Sequence, residues 1–544
     1  MSGGAGSEAP RHQRRYALVP VLLAAALVLP TIGQRAIYIS DEARYALLAR
    51  SMVENGHWLV PRMGSEVHME KSPLFMWAIA VPSLVAGDVT ELTAVLPAAV
   101  SGIGGVAATF FLGRRLFGAS AGLFGALVLS TTWGYFWLAR AALADMTVAC
   151  FIIGGAWAFW AAVEAPAGAG RALIVCYACL GVAFSAKGPA GLAPLIPFAA
   201  FLIAEEGWRG VSRLRLLRGL GVVALISSPW AIAFAVQRDA SYVQTVLIED
   251  YFAPRLAGWD RLSELWFAAG PLGLEFLPWS LLVPVAVWDG YLRGDAETRR
   301  KFKLLLCWVV AYVVMMTAMP HKRDRYLLPA YPALALMVGW LWQRWAASPV
   351  RRGLRGYGLA WSAVTAAVVA AVLVPLAVRP EVAVLLPSTL AEKVVGVAVI
   401  AVAGVAGLGA ASSGRVRTTF SIVVLTTALI LGYEAWTFAA RYNERYDVRG
   451  FAGRIASRVG SEDDLVAFQS GRLSYDFYLR RPVREIGDAK EMALLLGGGR
   501  RVYVIADARA WRNLTGTGVP LRILEQTELA GRMVFLATRA GDSG

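Results

Sequence analysis

Two short polar stretches carry the residues best suited to chemistry: Ser40-Asp41-Glu42-Ala43-Arg44-Tyr45, and His68-Met69-Glu70-Lys71-Ser72-Pro73 less than thirty residues on. Carboxylates mixed with cations can bind a charged headgroup and move a proton beside it. Ser40 is a good helix N-cap, Asp41 and Glu42 suit a positive helix start, and Gly56 after Asn55 suits a C-terminal stop. A helix over about 41–54 is therefore predicted, with Asp41, Arg44 and Tyr45 on one face because residues three and four apart are neighbours. Capping plus an internal Asp-Arg pair would explain this motif alone. A second capped start is expected at Lys71-Ser72-Pro73, where unpaired backbone N–H groups and the Lys71 charge favour an anion such as phosphate.

Similar chemistry recurs along the chain. Lys187-Gly188-Pro189 repeats the lysine-before-proline arrangement, although its lysine could instead reach a headgroup region by snorkelling. The turn Pro320-His321-Lys322-Arg323-Asp324-Arg325-Tyr326 holds three full positive charges, which call for an anion. Glu249-Asp250-Tyr251 with Arg255, and Arg140 with Asp145, add further polar groups. Gly497-Gly498-Gly499 fits no phosphate-loop spacing and reads as a turn.

The elements that must position these groups are membrane helices. With 57% hydrophobic and 17% charged residues over 544, and a mean hydropathy of +0.54, the chain is outside the range of ordinary soluble domains. Apolar runs of about 17 to 25 residues suit a hydrocarbon layer roughly 30 Å thick. Thirteen spans are predicted: 16–34, 92–112, 119–138, 144–163, 172–187, 189–205, 219–236, 266–288, 302–319, 325–345, 357–378, 393–411 and 419–438. The first has no small-residue cleavage site after it and reads as a retained anchor. The apolar stretch Pro73 to Gly87 decides the orientation. If it lies along the surface as a juxtamembrane helix, then Arg114-Arg115, Arg209 to Arg218, Arg299-Arg300-Lys301, Arg351-Arg352-Arg355 and Arg415-Arg417 all fall on the inner side, as the positive-inside rule requires. The loops at 35–91, 139–143, 237–265 and 320–324 then face outward with the C-terminal end.

The formal charge of +15 is absorbed by inner loops facing anionic lipid and needs no nucleic-acid partner. All four cysteines, Cys150, Cys176, Cys179 and Cys307, fall within or beside spans, which indicates neither a disulfide framework nor a Cys-rich zinc site. From about Arg441 the pattern changes to strand-like pieces, Asp464 to Phe468 and Arg501 to Ile505, alternating with helical ones, Val448 to Val459 and Ala489 to Leu496. The expected architecture is an all-α polytopic membrane domain over 1–440 followed by a small α/β domain over 441–544.

In the order Asp41-Glu42-Ala-Arg44-Tyr45, Glu70-Lys71-Ser-Pro73-Leu, Arg140 with Asp145, Lys187-Gly188-Pro189 and Tyr326-Leu-Leu-Pro329, the chain resembles the polyprenyl-phosphate-sugar-dependent glycosyltransferases of the integral-membrane GT-C architecture. The lipid A aminoarabinose transferases and their protein O-mannosyltransferase-like cousins are the members it looks most like. The resemblance implies sugar transfer from an undecaprenyl-phosphate donor to lipid A, or to a protein or another envelope glycan, at the periplasmic face of a bacterial inner membrane. It implies Asp41 as the leading catalytic residue with Asp145 beside it, and Arg44, Lys71, Arg255 and Tyr326 as ligands of the donor phosphate. Lys187 and Lys322 join that phosphate set from the residue reading. Relatives can bind zinc through the position of Glu70 and an expected His. Here Asp250 stands in place of that His and His68 in place of an expected aromatic, so zinc is less assured, though Glu70 with Asp250 could hold a divalent ion. No nucleotide or redox cofactor is implied.

A lipid-linked sugar flippase is the rival from another class. Transporters carry ionisable groups near the midplane and often show internal repeats. No repeat is evident, the only clearly intramembrane acid in this reading is Glu275, and Asp41, Lys71 and Asp145 share one interface, which favours an enzyme. A noncatalytic scaffold leaves the cationic turn unexplained.

Overall fold

The computed structural model describes residues 10–63, 66–68, 73–237, 267–268, 270–319, 322–348, 350–373, 389–498, 501–516 and 520–540. Lys71, Glu70, Asp250 and Arg255 lie outside the described residues.

A helical element overlies each of the thirteen predicted segments, and among the described residues seven helices are long and apolar enough to cross a membrane. Those seven are Glu91–Phe117, Asp145–Glu164, Pro166–Leu192, Ala296–Ala318, Arg351–Leu373, Leu390–Ser412 and Val416–Arg445; Tyr16–Thr31, Leu74–Ala86 and Ala119–Ser130 are shorter apolar helices. Their outer faces keep large apolar side chains uncovered, for example Val402, Val405 and Leu425, as hydrocarbon contact would require. Between helices, small residues let backbones touch. A Cβ on Gly339 would lie 2.4 Å from the Gly125 nitrogen, so the Tyr331–Ala347 helix can meet Ala119–Ser130 this closely only with glycine there.

Two segments depart from simple helices. The predicted span 266–288 is broken into short pieces, Pro271–Glu275, Trp279–Leu282, Val283–Val287 and Trp288–Leu292, in a stretch that contains Pro271, Pro278 and Pro284. The predicted span 325–345 opens as a 3-10 turn, Asp324–Ala330, before the α-helix begins at Tyr331. Glu275 sits in the first of the broken pieces and accepts a hydrogen bond from Tyr331 Oη at 2.6 Å. It is not the only acid in this part: Glu434, 4% exposed, lies within the Val416–Arg445 helix. The sequence reading missed it because it stands one turn from the polar end of an otherwise apolar run.

The first polar loop contains the predicted helix, Ser40–Asn55, and Gly56 closes it in the left-handed conformation at φ 70°, donating to Met52 O. Its start differs from expectation. Ser40 is inside the helix, Ile39 flanks it, and no side chain caps the first turn. The first-turn carboxylates point instead to partners elsewhere in the chain. A short antiparallel pair, β1 (Arg62–Met63) and β2 (Glu66–Val67), precedes a 13-residue apolar helix, Leu74–Ala86, in the stretch expected to lie along the membrane surface.

Beyond Arg445 the chain forms a five-stranded sheet in the order β4-β3-β5-β7-β6, from β3 (Asp464–Phe468), β4 (Arg484–Ile486), β5 (Val502–Asp507), β6 (Leu521–Leu529) and β7 (Arg532–Arg539). β3 runs parallel to β4 and β5, while β7 is antiparallel to β5 and β6. The β6–β7 hairpin turns on Ala530 and Gly531, both at positive φ, which matches the twist of the strands. The central strands bury both faces: Leu465, Tyr503 and Ile505 pack toward the Val448–Ala456 helix, and Val466, Phe468 and Val504 toward Ala489–Gly497 and Ala508–Thr515. That doubly covered sheet explains why the tail alternates strands and helices in sequence.

Candidate active site

Four element ends meet at one place. Asp41 begins the Ser40–Asn55 helix, Asp145 begins Asp145–Glu164, Lys187 ends Ala169–Lys187, and Arg325 with Tyr326 lies in the 3-10 turn ahead of Tyr331. Each end follows from local sequence. Lys187 is followed by Gly188 at φ 60°, ψ −140°, a conformation that stops the helix at the lysine and that a β-carbon would strain.

An alternating chain of charges joins these ends. Arg325 Nη2 donates to Asp41 Oδ2 at 2.5 Å, and its Nε lies 3.9 Å from Asp145 Oδ2. Lys187 Nζ donates to the other Asp145 oxygen at 2.5 Å. Arg44 Nη1 is 3.6 Å from Asp41 Oδ1, one helical turn away as predicted. The Tyr326 ring lies under both cations, 5.1 Å from Lys187 Nζ and 5.9 Å from the Arg325 guanidinium carbon. Three cations face two carboxylates, so the cluster keeps one net positive charge. Asp145 is 7% exposed, and the Arg325 and Lys187 side chains are 15% and 18% exposed. A partly dry site strengthens every such interaction.

The structure thus brings together Asp41, Asp145, Arg44, Lys187 and Tyr326, and adds Arg325. Sequence reading saw Arg325 only as one charge of the cationic turn. The signal was that excess of positive charge, and nothing in the turn itself said which cation would face inward. Lys187 pairs with Asp145 instead of snorkelling outward, and the 3-10 turn after it, Gly188–Leu192, is too short to serve as a helix-end anion site. Lys322 is half-buried two residues ahead of Asp324. Tyr45, expected on the Asp41 face, is buried edge-on against Phe75 with centroids 5.1 Å apart, and so serves packing.

A second, fully buried group supports the first. The Glu42 carboxylate, 0% exposed, accepts from Arg35 and from the Ala142 backbone N–H at 3.0 Å. Adjacent to Asp41 and three residues before Asp145, this tie fixes the two helix starts against each other. Burial by itself would lower the Arg35 pKa, but Glu42 and the Tyr442 hydroxyl outweigh it and hold the guanidinium charged, above its ordinary value. Arg140, placed by sequence on the same surface as Asp145, is buried instead. It donates to Ala435 O at 3.0 Å and lies 5.0 Å from the Phe136 ring centroid. Burial first, then repulsion from Arg35, push its pKa down to about 10.

Among the described residues no group of three or more His, Cys, Asp and Glu side chains could hold a metal ion. The four cysteines are separate thiols.

In fold and in part of its sequence the chain resembles the GT-C glycosyltransferases. The dolichyl-phosphate-mannose-protein mannosyltransferase family matches residues 70–232. The undecaprenyl phosphate-alpha-4-amino-4-deoxy-L-arabinose arabinosyl transferase of Edwardsiella ictaluri is 27% identical over 335 residues, 60% of this chain and 58% of that protein. The enzyme of the same description from Enterobacter sp. is 25% identical over 66% of each chain. The match therefore spans about three fifths to two thirds of these relatives' lengths. Among solved structures, ArnT from Cupriavidus metallidurans superimposes in its apo state with a TM-score of 0.76 at 21% identity, covering 96% of this chain and 98% of that one. The same protein bound to undecaprenyl phosphate gives 0.75 over 99% and 100%. These likenesses establish the fold, which extends through the C-terminal sheet.

Proposed function

We propose that this protein is a glycosyltransferase that moves a sugar from an undecaprenyl-phosphate donor to an acceptor, most simply 4-amino-4-deoxy-L-arabinose to lipid A, at the outer face of a bacterial inner membrane. The observation that carries the reading is the Arg44–Asp41–Arg325–Asp145–Lys187 chain with one net positive charge at the convergence of four element ends. The names of the curated relatives, and the undecaprenyl phosphate bound to ArnT in one of the matching structures, support this donor. The proposed topology has thirteen crossings, the Leu74–Ala86 helix along the membrane surface, and residues 441–544 on the periplasmic side with the site.

In this reaction an acceptor oxygen bonds to the anomeric carbon as that carbon's bond to the donor phosphate oxygen breaks. The electron pair leaves with the polyprenyl phosphate, whose negative charge grows in the transition state. Lys187, Arg325 and Arg44 lower the energy of that charge, with Tyr326 as a hydroxyl donor. Lys71, Arg255 and Lys322 are assigned to the same phosphate from the sequence. Asp41 takes the proton of a hydroxyl acceptor. A phosphate acceptor is already an anion, and Asp41 then orients the sugar. Asp145 holds Lys187 and Arg325 in place. Glu70 and Asp250 stay the sequence's candidates for a divalent ion such as zinc, and no step here depends on one.

The test uses the purified chain in lipid nanodiscs with a defined undecaprenyl-phosphate sugar and lipid A, following product mass. Time-dependent gain of one sugar by lipid A supports the reading. Gain by a protein acceptor instead would favour the mannosyltransferase-like alternative. Movement of donor across a bilayer with no new glycosidic bond would make the chain a flippase.

A further inference from the structure

We propose that the cleft between the C-terminal unit and residues 88–91 binds a phosphate-bearing anion, at a site separate from the Asp41 cluster. The cleft is open to the surface, has a volume of about 210 Å³ and is lined by Arg50, Asp88, Glu91, Arg449, Tyr478 and Arg480. That is room for one tetrahedral anion with some of its hydration.

Its walls come from three parts of the chain. Arg50 is the built wall: its side chain is 8% exposed, it donates to Phe477 O at 2.7 Å and Val89 O at 2.9 Å, and its Nε lies 3.5 Å from Asp88. Arg449 and Arg480 form the rim, with side chains 54% and 59% exposed. Arg480 also pairs with Asp88, and Arg449 pairs with Glu91, which accepts the Tyr478 hydroxyl at 3.0 Å. The lining thus sets three guanidinium groups against two carboxylates, with Glu54, one helical turn from Arg50, acting on that arginine from outside the lining. A guanidinium has five N–H donors in a rigid fork, more than one carboxylate can take, and the fork matches phosphate geometry. Arg480 occupies the left-handed region at φ 55°, uncommon for a residue with a β-carbon, where it ends the Leu473–Leu479 helix at the rim.

The cleft and the Asp41 cluster are different places. Arg50 is nine residues from Asp41 on one helix, which is roughly 13 Å along the axis and half a turn around it. The proposal therefore goes beyond the transfer reaction and does not need it. The ligand chemistry is a phosphate group, whether on a lipid headgroup or free in solution.

The test uses the full chain in phosphatidylcholine nanodiscs. Calorimetric titration with inorganic phosphate is compared with chloride at equal ionic strength, and retention of added phosphatidic acid is read by native mass spectrometry. One saturable phosphate site is expected, weakened about tenfold by Arg480→Ala and by Arg449→Ala, as loss of a charge-assisted hydrogen bond predicts. Arg484→Ala, an exposed arginine paired with Glu491 outside the cleft, should bind as wild type. Phosphatidic acid that is retained and displaced by phosphate identifies a lipid headgroup, and phosphate binding without lipid retention identifies the free ion. No saturable phosphate binding, binding that chloride removes equally, or equal loss in Arg484→Ala would make the cleft a closed ion-pair seam only.

Discussion

Arg325 is the residue on which the proposed site depends most, because its guanidinium reaches both carboxylates. In Arg325→Ala, Asp41 loses a 2.5 Å hydrogen bond and Asp145 a contact at 3.9 Å. A hydrogen bond to a charged group is worth about 1.5–3 kcal/mol. The second contact has a Coulomb ceiling of about 4 kcal/mol at an effective dielectric constant of 20. Lys187 and Arg44 remain on the same two carboxylates and absorb part of the loss, so a net cost of about 2–3 kcal/mol in the transition state is the expectation. At about 1.36 kcal/mol per decade, kcat falls roughly 30- to 150-fold. The cluster also drops from one net positive charge to none, so KM for the donor rises. Arg325→Lys keeps the charge but not the fork, and should recover part of kcat. The assay is initial-rate transfer from a synthetic undecaprenyl-phosphate sugar by protein in nanodiscs, with thermal unfolding as the control for folding. Wild-type kcat and KM in well-folded Arg325→Ala would refute the assignment of this cluster to donor chemistry.

Other perturbations reach separate parts of the same proposal. Asp41→Ala and Lys71→Ala should each abolish measurable transfer while the protein stays inserted and folded; wild-type rates in either would remove that residue from the mechanism. Lys187→Ala should raise KM for the donor about tenfold or more, checked by the same rates, because it takes a cation from the phosphate and leaves Asp145 with Arg325 alone. Glu42→Gln should lower the apparent melting temperature, since it removes the charge from a fully buried partner of Arg35, at a cost of about 1.5–3 kcal/mol; an unchanged melting curve counts against the tie between the two helix starts. Single cysteines at 322 and 215 in a background without the native four should label from outside and inside respectively, and label at 322 from the cytosol would invert the topology.

How much was legible in advance differs from residue to residue. The Ser40–Asn55 helix, its Gly56 stop and the Asp41–Arg44 contact are local, set within one or two turns, and the spacing announced them. The strands Asp464–Phe468 and Val502–Asp507 were readable for the same reason. The missing Ser40 cap was not, because the first-turn carboxylates were drawn to Arg325 and Arg35, and Arg325 is 284 residues from Asp41. Glu434 was hidden by the apolar run around it. Arg140 looked like a surface ligand beside Asp145, yet it turns into the protein to meet Ala435 and Phe136.

Composition, apolar run lengths and the distribution of arginine determined by themselves that this chain is a helical membrane protein with a small α/β unit at its end, because hydrocarbon and positive-inside insertion act on each segment separately. The tertiary structure decided which charges meet. Asp41, Asp145, Lys187 and Arg325 come from four elements far apart in the chain, and only the packing of helix ends places them within hydrogen-bonding and ion-pair reach.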